Sequence, residues 1–261
     1  MGQESPRGER FPSGGVGGML PAFTVRRYPV AGGHILSPHL DDGVLSCWHR
    51  MEQPDTTHVV TIFAGVPADG RLNWWDRLCG YRSSAAAMRS RRTENDRSLA
   101  GAAVKPINLD YLDRAYRPPL RDITDIADAI ERETCRADHF LAAAGIGTCL
   151  RRHPDHITTR EVGRELLQRG HDISFYVDLP YMLPLRDFRN WPERINCKKL
   201  QRTLGLRASV EPYELSTAQQ GRKWRAVRAF SSQFKPVNVL AFGALTRPEA
   251  YRWEVIIKPT Y

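Results

Sequence analysis

The stretch ILSPHLDDGVLS, residues 35–46, begins as a buried strand and ends as something else. Ile35, Leu36 and the small Ser37 suit a sheet interior, and Pro38 stops it. His39, Asp41 and Asp42 then crowd into four positions before Gly43 returns the chain to apolar residues. Outward from this point, apolar, β-rich runs recur: HVVTIFAG at 58–65, INLDYL at 107–112, DHFLAAA at 138–144 and ISFYVDL at 173–179. Helical patterns lie between several of them. Ile123, Ile126, Ala127 and Ile130 fall on one helix face. The segment SSAAAMRSRRTENDRSLAGAA carries strong helix formers behind a Ser cap at Ser83. A third pattern runs from His156 to Gly170, which is placed as its C-cap.

Strands alternating with helices mean βαβ units and a mostly parallel sheet covered on both faces, a Rossmann-like three-layer α/β fold. In such sheets ligands bind beyond the carboxyl ends of the strands. Residues 38–43 lie just past such an end. Residues 23–261 are expected to form one α/β domain, with a core over 33–180 and a less regular part over 181–261. There the segment PYMLPLRDFRNWPER reads as a loop. A helix over Thr217–Phe230 and two apolar runs, VNVLAF and EVIIK, complete the sheet or add a small layer.

The 261-residue chain is 41% hydrophobic, enough for a globular core. No run nears the roughly 18 apolar residues of a spanning helix, so no membrane insertion is expected. Residues 1–22 read as a flexible arm without a secretory h-region. The arm contains GGVGG, but no strand precedes it, so it is not a phosphate loop. Five cysteines (47, 79, 135, 149, 197), never spaced C-x-x-C, argue against a disulfide framework and for a reducing cytoplasm. Net charge is +9, and the excess lies in residues 182–261, with 15 Lys and Arg against 6 Asp and Glu. Of the 38 basic residues 32 are Arg, spread along the whole chain, and no compact basic run carries interleaved aromatics. A nucleic-acid partner is therefore not expected.

A second cluster, RRHPDH, follows the apolar run DHFLAAAGIG and supplies His153, Asp155 and His156. Pro154 suits the first position of the next helix, which lets His153 and His156 face the same way. Either cluster alone reads as a solvated turn or a capped helix start. Together, at two strand ends, they offer imidazoles and carboxylates enough for three N/O ligands, an open coordination position and spare acid–base groups, the description of a catalytic zinc site. The other five histidines are isolated and read as core or surface residues.

The pair PHLDD and HPDH resembles the signatures of the PIG-L/LmbE-type N-acetylglucosaminyl deacetylases. The similarity runs from about Gly33 to Leu179 and includes the FAG after the second strand and the SRRTENDR helix. It departs at Gly43, where the family's first motif often continues with Glu. The resemblance implies zinc-dependent hydrolysis of an N-acetyl amide on an amino sugar or small soluble glycoside, in natural-product or thiol biosynthesis. It implies His39, Asp42 and His156 as metal ligands, with Fe²⁺ an alternative native metal to Zn²⁺. It implies Asp41 as general base, a protonated His153 as transition-state partner, and Asp155 as the carboxylate that orients His153. By looser similarity, Arg91 and Asp113 fall near positions that contact the sugar. Trp74, Trp75, Tyr81 and the loop from Tyr181 to Trp191 read either as a sugar platform or as aromatics packed beneath a loop.

Three other readings compete. One is an amidase acting on thiol conjugates. Another is a non-haem iron oxygenase holding Fe(II) with His39, Asp41 and a later histidine. The third is an inactive binder of an anionic ligand.

Overall fold

In the computed structural model, residues 33–117, 122–134, 139–147, 153–183 and 191–260 are described; the arm, Cys135 and Cys149 lie outside them. The strands are β1 (Gly33–Ser37), β2 (Thr56–Thr61), β3 (Lys105–Asn108), β4 (His139–Ala143), β5 (Asp172–Tyr176), β6 (Ala208–Glu214) and β7 (Trp253–Pro259). The α-helices are α1 (Asp42–Ser46), α2 (Trp48–Met51), α3 (Trp74–Leu78), α4 (Ser84–Leu99), α5 (Ile123–Glu133), α6 (Pro154–Gln168), α7 (Cys197–Leu204), α8 (Thr217–Arg228) and α9 (Ser231–Leu240). They flank one sheet of order β3-β2-β1-β4-β5-β7-β6. The first five strands are parallel, and β7 and β6 add an antiparallel edge.

The chain steps outward from β1 to β2 and β3, then returns to β4 and continues to β5. α1 packs against β1 and α8, α4 against β3 and α8, and α6 against β4, β5 and α5. The strand order reverses between β1 and β4, and a crevice opens beyond their carboxyl ends. The two motifs follow these two strands.

Every residue of β1 is buried, as its apolar run requires. It lies between Val59 and Val60 of β2 and Phe140 and Leu141 of β4, all at most 2% exposed. The helix signals work as expected. Ser83 accepts the Ala86 N–H as N-cap of α4, and Pro154 opens α6. Gly170 takes φ +92° just past the end of α6. Gly163 lets α6 lie on the sheet: a Cβ there would sit 2.8 Å from Ala142 Cβ. Among the described residues no helix is long and apolar enough to cross a membrane.

One C-terminal expectation is met and one is revised. EVIIK does join the sheet, as β7, but VNVLAF forms the end of α9 and the turn after it. The Glu94 carboxylate, reaching from α4, accepts hydrogen bonds from Ser231 Oγ, Ser232 N and Ser232 Oγ at 2.7–2.9 Å. It thereby caps the start of α9, and this tertiary contact overrides the β-branched composition. The partner of β7 is ASVEPYE, an edge strand whose Pro212 and charges disguise it. The C-terminal part is anchored by a buried ion pair, Lys223 Nζ to Glu254 Oε1 at 2.6 Å. Glu254 also accepts the N–H groups of Trp48 and His49 at 2.7 and 2.8 Å, which fixes the start of α2.

Candidate active site

After β1 the chain folds back over Ser37. Its Oγ donates to the His39 carbonyl at 2.5 Å and accepts the Gly43 N–H at 2.9 Å. A Cβ on Gly43 would lie 3.2 Å from Met51 Cε and 3.4 Å from Ser37 Oγ and Val59 Cγ1. A glutamate in this position would have to open that contact, which is why the departure from the family pattern suits this chain. After β4, Gly145 takes φ +58°, and a Cβ there would come within 2.7 Å of the His156 carbonyl oxygen. That close approach brings the start of α6 against the first loop. Gly65, after β2, packs on the Asp110 carbonyl with no room for a Cβ.

The loops meet at three histidines. His39, His153 and His156 each offer a ring nitrogen, all within 4.8 Å of one another. The rings of His39 and His156 lie 5.3 Å apart between centroids, and those of His39 and His153 lie 4.7 Å apart, edge to face. Their ring nitrogens face carboxylates and one backbone N–H. His39 Nε2 faces the Asp155 carboxylate at 3.2 Å and Nδ1 faces the Asp42 carboxylate at 3.0 Å; burial opposes charge on the ring, but Asp113, Asp155 and Asp42 push its pKa well above the usual range. His156 Nδ1 faces the Asp178 carboxylate at 2.7 Å, and its Nε2 faces Asp42. His153 Nδ1 accepts the Asp155 N–H at 3.2 Å as the cap of α6, so its Nε2 carries the proton.

His39 Nδ1 and His156 Nε2 converge on one oxygen. Asp42 Oδ2 is 3.0 Å from His39 Nδ1 and 3.1 Å from His156 Nε2. His156 is 2% exposed, and its Nε2 is buried without a well-formed hydrogen bond. A buried, unsatisfied imidazole nitrogen beside a carboxylate and a second imidazole fits a divalent cation with N/O ligands. The same residues are in electrostatic tension when left to themselves. Burial opposes charge on His156, but Asp42 and Asp178 push its pKa up to about 9. Burial also opposes charge on Asp42, yet His156 and His39 hold its carboxyl well below the usual range.

Asp41 sits beside this centre without joining it. Burial and the adjacent Asp42 raise its carboxyl to about 6, against the opposing influence of His39 and a hydrogen bond from Gln233 of α9. Thus it is Asp42, not Asp41, whose oxygen lies between the imidazoles, contrary to the iron-triad reading. His153 is pushed the other way. Burial and the neighbouring His39 and His156 lower its pKa to about 4. The Asp155 carboxylate, expected to steer a protonated His153, opposes this shift only in part. Residue 155 meets His153 through its backbone, while its side chain, fully buried, turns to His39 Nε2, the Arg114 N–H (2.8 Å) and Arg117 Nη2 (2.5 Å).

Of the two looser sugar-contact expectations, Asp113 lies at the site, with Oδ2 3.5 Å from His39 Nε2 and its side chain 21% exposed. Arg91 lies beneath it. Its guanidinium is 2.6 Å from Asp76 Oδ1, and Tyr116 Oη, which donates to Asp76 Oδ2 at 2.8 Å, completes the cluster. Tyr181 packs edge-on against His156, with centroids 4.7 Å apart. Trp74 is 70% exposed and meets Trp75 at 5.6 Å; residues 184–190 of the second aromatic segment lie outside the described residues. Asp178, Arg117 and Gln233 carry no sequence signal of their own. A cavity of about 470 Å³ at the opposite end of the sheet is lined by Arg50, Asp55, His139, Asp172 and Lys258. Its charges are paired: Arg50 with Asp55, His139 with Asp172, and Lys258 with Glu211.

Comparison with known proteins gives the same picture. Residues 34–167, half of the chain, match the model of the PIG-L family, described as GlcNAc-PI de-N-acetylase. The 2'-N-acetylparomamine deacetylase of Niallia circulans is 24% identical over 190 residues, covering 59% of this chain and 68% of that protein. The crystal structure of the deacetylase of the A40926 pseudoaglycone superposes with a TM-score of 0.66 at 23% identity, covering 87% of this chain and 96% of the other. A zinc-inhibited form of teicoplanin deacetylase superposes with a TM-score of 0.65 at 21% identity, covering 88% and 99%. At these identities the solved structures share the fold.

Proposed function

Because the chain belongs to the PIG-L family, we propose that it uses one zinc ion to hydrolyse the N-acetyl amide of an amino sugar carried on a small glycoside. The single observation that carries this reading is the convergence of His39 Nδ1 and His156 Nε2 on Asp42 Oδ2. In this reading His39, Asp42 and His156 hold the cation. Bound there, zinc supplies Lewis acidity and a water of pKa about 7 rather than 15.7.

The chain's own groups do the rest. Asp41, ionised above about pH 6, takes the proton of the attacking water. His153 donates its Nε2–H to the carbonyl oxygen as that atom gains charge, acting as a neutral donor because its Nδ1 is committed to the cap of α6. Asp41 then passes its proton to the leaving nitrogen, so water and amide become acetate and amine. Asp155 steadies His39 rather than His153, and Arg117 holds Asp155. A base and an oxyanion donor beside the residues that would hold the cation support an enzyme rather than a bare binder.

The substrate class follows the relatives. One is a 2'-N-acetylparomamine deacetylase and another a deacetylase of the A40926 pseudoaglycone. We take a soluble, natural-product-like N-acetylated glycoside as the substrate here, in a reducing cytoplasm consistent with free Cys47, Cys79 and Cys197. Residues 23–261 act as one domain in this reading. The test is to incubate zinc-loaded protein with N-acetylated amino sugars, glycosides and thiol conjugates while reading free amine and acetate. Release from the glycosides is expected. Release from the thiol conjugates alone would move the substrate class, and oxygen uptake without acetate would overturn the reaction.

A further inference from the structure

We propose that Asp178 is a positioning residue for the cation, holding the His156 ring so that Nε2 faces Asp42 and is the nitrogen left for the metal. The inference rests on the reading of His156 as a metal ligand and adds a residue that neither motif contains.

Asp178 closes the apolar run after β5 and is 1% exposed. A carboxylate this deep loses its hydration, and only specific partners offset that cost. It has two. Oδ1 is 2.7 Å from His156 Nδ1, and Oδ2 accepts the Ile146 N–H at 3.3 Å. Ile146 lies in the loop that leads to the second motif, so one carboxylate links the end of β5 to that loop and to the motif's last histidine. Three residues on, Tyr181 closes the side of the same imidazole. The ring is therefore fixed in rotation, with Nδ1 on Asp178 and Nε2 facing Asp42 Oδ2 at 3.1 Å. His39 is built in the same way: Nε2 rests on buried Asp155, and Nδ1 faces Asp42. A carboxylate on the far nitrogen orients a ligand imidazole and raises its basicity, and removing one typically weakens metal binding about 10- to 100-fold.

The experiment measures zinc affinity of metal-free wild type, Asp178→Asn and Asp178→Ala by competition with a chromophoric chelator, with kcat read at saturating zinc. Asp178→Asn should raise the zinc dissociation constant about 10-fold or more, and Asp178→Ala further, while saturating zinc restores most of kcat. A folded Asp178→Asn variant with wild-type zinc affinity overturns the proposal, as does one that loses kcat at unchanged affinity. If neither variant folds, ¹⁵N spectra of wild-type histidines decide: His156 with a protonated Nδ1 and a metal-responsive Nε2 supports the proposal, and the opposite tautomer overturns it. Acetate release is scored separately. Weakened zinc binding in a protein that deacetylates nothing would sink the proposed reaction and leave the role of Asp178 standing.

Discussion

Asp42 Oδ2 stands 3.1 Å from His156 Nε2, although the two residues follow different strands. Topology brings them together. The order β2-β1-β4-β5 reverses direction between β1 and β4, so the loops after those strands face each other across one crevice. Gly145 removes the last obstacle by letting the His156 backbone approach.

Ligand and base should separate on substitution. His39→Ala or His156→Ala should lose bound zinc, measured as metal per chain after dialysis. Asp41→Asn should keep its zinc and lose about two or more orders of magnitude in kcat. An Asp41→Asn enzyme with the wild-type rate would remove the base from the mechanism.

The acid limb of kcat/KM should belong to Asp41. The group works only when ionised, so activity is present above its pKa and lost as pH falls through it. Burial and Asp42 place that value at about 6, and a neighbouring cation favours the ionised form and moves the limb lower still. The limb should therefore lie at or below pH 6 and vanish from the residual rate of Asp41→Asn. A limb above that, or one that survives the substitution, contradicts the assignment.

Arg91 should act on stability. Its side chain is 5% exposed and its partner Asp76 is fully buried. Breaking such a pair leaves an uncompensated buried charge and costs about 3–5 kcal/mol. Denaturant unfolding of Arg91→Ala should show that loss. Unchanged stability with a raised KM would restore Arg91 as a sugar contact.

Gly145→Ala should cost stability and zinc affinity together. A side chain at φ +58° is strained by about 1–3 kcal/mol, and its Cβ would press on the His156 carbonyl. A Cβ on Gly101 would meet nothing within 4 Å, so Gly101→Ala serves as a near-neutral control. Equal unfolding midpoints for the two variants would show that the approach of α6 does not depend on Gly145.

Much of this was legible in the chain because the decisive residues are local. Pro38 ends one buried strand and Pro154 starts one helix, so the ionisable groups beside them had to lie at element ends. The long-range partners gave no such signal. Asp178 is a single acidic residue closing the run ISFYVDL, indistinguishable from an ordinary strand terminus until His156 is found 2.7 Å away. The turn of the Asp155 carboxylate toward His39 depends on Arg114 and Arg117, which come from a loop after another strand. VNVLAF has strand composition, yet its first four residues end α9, whose start is capped by Glu94 of a distant helix.

The most direct test is an anomalous difference map at the zinc edge from crystals grown with one equivalent of zinc. The account predicts one peak about 2 Å from each of His39 Nδ1, the Asp42 carboxylate and His156 Nε2, with the His153 ring outside bonding distance. A peak ligated by His153 in place of Asp42, or no peak between the two loops, would contradict it.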